Sequence, residues 1–438
     1  MASNRRSSVG LVVAGSLASG LLLALLLAFA PFVPATERDV LGAVLCGFAV
    51  GWAVLAVLST RLTDQPQRWA LAPASFMGGC GLLLLVFGSD VDDALAWVWP
   101  PALLLVVVWS AVRARRTLRS WTRRWLLGPV LALLVLASVG GAYETIGSAT
   151  APTYAAPGRL VDVGGHRLHL SCTGSGSPTV VLEPGAGGMS SHLGWIAPRV
   201  GRDTRVCVHD RAGRGWSDPA DTAQDASQIA ADLHVLLERG GVPGPYVLGG
   251  HSFGGLYVLT FAARFPDEVS GLVLIDSTAP ASDPGDQPSP ADPDGPMRHA
   301  SALLATVSRV GLSRLYAGLD FGSLPPRSRD EARASAATEK DLRSTIDEYV
   351  RAGASAREAA VARDLGDTPL MVLTAGKGHP ATWREDQDAL ARLSTDSAHR
   401  VVDGAAHGDL VMEERPADVV ATAILDVVSA VRTGQPLR

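Results

Sequence analysis

Lysine is almost missing from this chain, with only Lys340 and Lys377 among 438 residues. Arginine carries the positive charge instead, and there is no basic face with interleaved aromatics, so nucleic-acid binding has little support. Cysteine is scarce as well, with four in all. Cys46 and Cys80 sit in apolar runs and read as filler. Cys172 and Cys207 fall in segments that read as strands, where either a disulfide or two buried thiols would fit. No pair of histidines or cysteines has metal-ligand spacing, so no metal is expected. The run Pro184-Gly185-Ala186-Gly187-Gly188 is rich in glycine but lacks the Gly-Lys-Ser/Thr of a phosphate loop, which removes the usual nucleotide reading. No cofactor is implied.

What is abundant is apolar sequence, and it is unevenly placed. The mean hydropathy is +0.21, and residues 1–150 supply the excess. Crossing about 30 Å of hydrocarbon takes about 20 apolar residues. Five segments qualify: Val9–Phe29, Val40–Leu58, Trp69–Phe87, Ala94–Val112 and Trp125–Gly141. Residues 1–150 carry 11 arginines against 7 acidic residues, whereas the remainder carries 27 basic against 36 acidic. Arginines collect before the first segment (Arg5, Arg6), around the second connection (Arg61, Arg68) and in the fourth (Arg113 to Arg124). The first and third connections are acidic by comparison. That alternation predicts a cytoplasmic N-terminus and, after five crossings, an extracytoplasmic C-terminal half of a multi-pass cell-membrane protein. No Asp, Glu, Lys or His stands in mid-span, which argues against a transport pathway and for an anchor.

Residues 1–145 are therefore read as a membrane domain and 146–158 as a Pro/Ala linker. Residues 159–438 form the second domain. Arg159–Val163 and His166–Cys172, joined by Gly164-Gly165, read as a hairpin, and Thr179–Glu183, Arg205–His209, Tyr246–Leu248, Leu272–Ile275, Leu370–Thr374 and Arg400–Val402 read as further strands. Helical patterns alternate with them at Ala223–Glu238, Phe253–Phe265 and Ala417–Val431, which predicts an α/β fold with a largely parallel sheet. Between about 278 and 366 the alternation stops. A Pro/Asp-rich stretch from Pro280 to Pro296 leads into helices near Met297–Gly318, Arg329–Ala352 and Ala354–Asp364, read as a lid over the sheet's C-terminal edge.

Three motifs carry chemistry. Gly250-His251-Ser252-Phe253-Gly254 follows a predicted strand and opens a predicted helix, as a nucleophile elbow must, with small residues where the backbone turns sharply. Asp210-Arg211-Ala212-Gly213-Arg214-Gly215-Trp216-Ser217 follows an earlier strand. Gly404-Ala405-Ala406-His407-Gly408 lies between the last strand and the last helix. Together these resemble the α/β-hydrolase superfamily, in its lipase/esterase-like branch, over roughly Arg159 to Val431. The second motif looks like that branch's D-x-x-G-x-G-x-S loop, in which Asp210, Arg211 and Ser217 would brace the pocket.

A serine hydroxyl needs a base to become nucleophilic, and imidazole suits that task near neutral pH. The resemblance places the base at His407, with His379 as the alternative. For the acid the chain departs from the commoner family pattern. The segment after Leu370–Thr374 holds no carboxylate before Glu385 and Asp386, whereas Asp276 stands right at the end of Leu272–Ile275. Asp276 is the expected acid, with Asp386 and Glu385 as alternatives. The resemblance also implies an oxyanion hole from the backbone N–H groups of Phe253 and Ala186, with Pro184 where histidine is usual. The expected activity is cleavage of an ester, thioester or related acyl bond in a small-molecule or lipid substrate. An acyltransferase or a catalytically idle binding module would share the fold. No feature of the sequence indicates an oligomeric state.

Overall fold

The computed structural model describes residues 8–118, 121–281 and 294–437. Arg5, Arg6, Arg119 and the centre of the Pro280–Pro296 stretch therefore lie outside the described residues. The chain divides into two compact units, residues 1–151 with 292–315, and residues 152–291 with 316–438.

In the first unit, five helices are long and apolar enough to cross a membrane: Val9–Ala28, Glu37–Leu62, Arg68–Phe87, Ala94–Thr117 and Leu126–Thr150. The last continues through residues 146–150, which the sequence reading assigned to the linker. Small side chains let the first two helices approach closely. A Cβ on Gly47 would lie 2.4 Å from the Ala24 Cα, and one on Gly51 would lie 2.6 Å from the Gly20 Cα. Ser16, Gly20 and Ala24 recur every fourth residue on one helix and meet Gly47 and Gly51 on the other. Close packing of this kind holds helices together where lipid tails would remove any hydrophobic drive. The first part of the expected lid belongs here. The helix Asp294–Ala305 places Ala302 beside Ala28 and Val40, and the carbonyl of Val33 accepts from His299 at 2.8 Å.

The second unit is built on one eight-stranded sheet in the order β1-β2-β4-β3-β5-β6-β7-β8. Its strands are β1 (Arg159–Asp162), β2 (Arg167–Thr173), β3 (Thr179–Glu183), β4 (Val206–Asp210), β5 (Tyr246–His251), β6 (Val269–Ile275), β7 (Leu370–Ala375) and β8 (Ser397–Val402). β2 pairs antiparallel with β1 and β4, and the remaining pairs are parallel. Cys172 and Cys207 are register partners on β2 and β4 and form a disulfide.

Side chains alternate along each strand, so one strand feeds two cores. Leu248, Leu272, Leu274, Leu370 and Val372 pack under the helices Ala226–Arg239 and Phe253–Arg264. Val247, Val273, Ile275, Met371 and Leu373 pack on the other face, against Glu414–Thr433. Burial on both faces explains why these strands read as unbroken apolar runs. The parallel strands β3, β5, β6, β7 and β8 all point the same way. The segments that follow them therefore gather along one edge of the sheet.

Candidate active site

Ser252 follows β5 directly and adopts φ 55° and ψ −121°, a backbone conformation rare for any residue with a side chain. Its N–H donates to the Ile275 carbonyl, and its own carbonyl accepts from the Gly255 and Thr278 N–H groups. Those three bonds hold the strained turn between β6 and the helix Phe253–Arg264. The glycines are required by contact. A Cβ on Gly254 would lie 2.5 Å from the Glu183 carbonyl oxygen, and one on Gly185 would lie 3.0 Å from the Ser252 Cβ. The turn after β3 thus sits directly against the serine. Among the described residues, the N–H groups of Ala186 and Phe253 find no protein acceptor.

Asp276 stands at the end of β6, also at positive φ (46°). Its carboxylate is fully buried and accepts four hydrogen bonds. Oδ2 accepts from His407 Nδ1 and from His379 Nε2, each at 2.6 Å. Oδ1 accepts from the Trp383 indole at 2.8 Å and from the Ala375 N–H at 3.0 Å. Burial alone would raise its pKa, but hydrogen bonds from His407, Trp383, Ala375 and His379 outweigh it and hold the carboxyl well below the usual range.

The two histidines differ in which nitrogen they commit. His407 gives Nδ1 to the carboxylate, which leaves Nε2 at the far end of the ring for proton transfer. His379 gives Nε2, so only the nitrogen nearest its own backbone remains. His379 also stacks face to face on Trp383, with ring centroids 4.5 Å apart. The alternatives for the acid are elsewhere: Glu385 and Asp386 lie exposed on the helix Ala381–Ala391. The structure thus brings Ser252, Asp276 and His407 to one sheet edge with the Ala186 turn, and leaves Glu385 and Asp386 out.

Two participants were not legible in the sequence. Trp383 belongs to a helix with no marked pattern, and nothing in the sequence connects it to Asp276. His251 looked like part of the elbow alone. It is buried, its Nε2–H donates to the His407 carbonyl at 3.2 Å, and its ring lies 4.6 Å from that of His407. Burial, and then the proximity of His407, push its pKa down to about 3, so it is a neutral strut under the His407 loop. The Asp210 loop is pinned as expected. The Asp210 carboxylate accepts from the Ser190 N–H at 2.7 Å, and Ser217 Oγ donates to the Asp210 carbonyl at 2.6 Å.

Spacing along the chain showed no metal site, yet among the described residues the fold gathers one candidate donor set. Asp276, His379 and His407 offer ligand atoms within 4.8 Å of one another. The two imidazole N–H groups already satisfy the carboxylate oxygen at the centre of that set.

Comparison with known proteins agrees with this architecture. Over 303 residues the chain is 28% identical to an uncharacterised protein of Schizosaccharomyces pombe, covering 59% of this chain and 55% of that one. It is 31% identical over 121 residues to a 2-hydroxy-6-oxo-2,4-heptadienoate hydrolase of Pseudomonas putida, covering 27% of this chain and 44% of the relative. The chain therefore spans about half or less of the length of these curated relatives. Among solved structures, Cfl2 of Burkholderia cenocepacia aligns with a TM-score of 0.50 at 21% identity, over 62% of this chain and 95% of that one. At that identity the likeness speaks for the fold alone. The family model of the alpha/beta hydrolase fold matches residues 178–413. That stretch is more than half of the chain and contains the elbow, Asp276 and His407, and the chain belongs to the α/β-hydrolase fold family.

Proposed function

We propose that this protein is a serine hydrolase that cleaves an ester, thioester or related acyl bond through an acyl-enzyme. The observation that carries the reading is the Asp276–His407 pair. A buried carboxylate fixes the Nδ1–H tautomer of an imidazole whose Nε2 stays available, and the ring of His251, the residue before the strained serine, lies 4.6 Å from that imidazole. In that arrangement Ser252 Oγ attacks the acyl carbon while His407 Nε2 takes its proton, and the imidazolium is stabilised by Asp276. The tetrahedral oxyanion is met by the N–H groups of Phe253, at the start of a helix, and Ala186. Collapse expels the leaving group with the proton from His407, and water then repeats the sequence to release the acid.

The same reading places the catalytic unit outside the cytoplasm, tethered by the five apolar helices. The arginine alternation supports that orientation, and the Cys172–Cys207 disulfide is of the kind that persists in oxidising compartments. The substrate is a small-molecule or lipid acyl compound.

A fluorophosphonate probe tests the mechanism. Wild-type protein should be labelled at Ser252 and should hydrolyse short p-nitrophenyl esters. Ser252→Ala should lose labelling and lower turnover by several orders of magnitude with little change in melting temperature. Equal hydrolysis by the purified Ser252→Ala protein would remove Ser252 from the mechanism.

A further inference from the structure

The oxyanion turn is held from behind by a buried ion cluster that the mechanism above does not use. Arg211, next after β4, is 3% exposed, and Glu348 is 2% exposed on the helix Glu339–Val350, a cap helix that belongs to the second unit and to the later part of the expected lid. The guanidinium has five N–H bonds and uses all of them. Nε and Nη2 donate to the two oxygens of Glu348 at 3.0 and 3.1 Å. Nη1 donates to the Glu183 carboxylate and, at 2.9 Å, to the Pro184 carbonyl. Nη2 donates its other hydrogen to the Gly185 carbonyl at 2.8 Å. Glu348 also accepts from the Gly187 N–H at 2.9 Å, so it grips the far side of the same turn.

Peptide planarity gives these contacts a consequence. In a trans peptide the carbonyl and the following N–H point in opposite directions. Tying the Pro184 and Gly185 carbonyls to Arg211 turns the Gly185 and Ala186 N–H groups away from the guanidinium. Gly185 is the residue packed on the Ser252 Cβ, so the turn is held both in position and in peptide orientation. The cap helix reaches the other half of the hole as well. Tyr349, adjacent to Glu348, packs its ring against that of Phe253 with centroids 5.4 Å apart.

We propose that Arg211, locked by Glu348 of the cap helix, is the positioning residue that aims the Ala186 N–H at the oxyanion. This deepens the hydrolase reading and rests on it. The Gly185 carbonyl also accepts from the Gly188 N–H at 3.0 Å, so the turn has an internal bond, and Arg211 with Glu348 adds the clamp that ties that turn to the cap helix. Substrate binding to the cap has a direct mechanical route to the oxyanion donors.

The test compares Glu348→Gln and Arg211→Lys with wild type in the full-length detergent-solubilised protein. A glutamine has one acceptor oxygen in place of two, and a lysine cannot span two carbonyls and two carboxylates. Active-site titration with a fluorophosphonate normalises each rate to competent serines, so partial misfolding does not enter kcat. Removing one oxyanion donor costs roughly 10²–10³-fold in kcat. We expect kcat on a p-nitrophenyl ester to fall about 10²-fold per titrated site, with KM changed less than about threefold. The Ki of a boronic acid, whose adduct places an oxyanion in the same hole, should rise in parallel. If both variants keep kcat per titrated site near wild type, or if kcat falls while the boronic-acid Ki stays fixed, the proposal is overturned. A wild-type protein that the fluorophosphonate does not label overturns the hydrolase reading, and this proposal with it.

Discussion

Replacing Asp276 with asparagine separates its chemistry from its packing, and the four donors around it dictate the outcome. Two of them, the Trp383 indole N–H and the Ala375 backbone N–H, can only donate. The asparagine carbonyl oxygen must therefore turn toward them, which directs the NH2 group at His407 and His379. Each imidazole can adapt by exchanging tautomers and accepting one of the two amide hydrogens. Every polar group remains satisfied, so the fold should change little. His407, however, now carries its proton on Nε2, where it should be taking one from the serine. Turnover should drop by up to about 10⁴-fold, as it does when a triad aspartate is replaced in this way. The carboxylate also leaves a pH signature. A folded-state pKa held below the unfolded value near 3.9 stabilises the protein above that value, and the contribution is lost as the pH falls through the depressed folded one. That component of acid unfolding should be missing from Asp276→Asn. The assay is ester turnover per fluorophosphonate-titrated site, with denaturation curves from pH 7 down to about pH 1.5, since the loss runs from about 3.9 downward. Glu385→Gln and Asp386→Asn serve as comparison and should be nearly silent, since both side chains are exposed. A large loss at either of these, with Asp276→Asn retaining more than about a tenth of wild-type turnover, would refute the reasoning.

Two further expectations concern pH and topology. His251 is neutral when folded, with its pKa pushed down to about 3, whereas the unfolded chain can protonate it below about 6.5. Stability should therefore be fully present above about pH 6.5 and decline by up to ~1.4 kcal/mol per pH unit below it. His251→Gln should flatten that limb in chemical denaturation, and an unchanged slope would remove His251 as its source. A reporter joined after Arg438 should be active only outside the cytoplasm, and activity inside would overturn the five-span orientation.

Much of the fold was legible because it rests on local pattern. The inner strands β3, β5, β6 and β7 read as short apolar runs because burial on both sheet faces selects such residues along most of the strand. The elbow was equally plain: a serine at positive φ between β5 and a helix needs Gly250 and Gly254 where neighbouring backbone leaves no room for a Cβ. The five apolar helices follow from length and composition alone. The expected lid was less legible. Residues 294–315 group with the apolar helices, and helical periodicity could not reveal that, since it marks which face of a helix is buried but not against what.

The site divides along the same line. Serine at the elbow, histidine before the last helix and aspartate at the end of β6 could each be named from the sequence, because each is tied to the end of a recognisable element. Choosing between His407 and His379 required knowing which ring nitrogen meets the carboxylate. Choosing Asp276 over Glu385 and Asp386 required knowing which carboxylate is buried. Trp383, His251 and the Arg211–Glu348 clamp became visible only once the chain was folded. A strand or an elbow is written in residues a few positions apart. A hydrogen-bond network joins residues more than a hundred positions apart, and their proximity is set by the packing of the whole sheet edge.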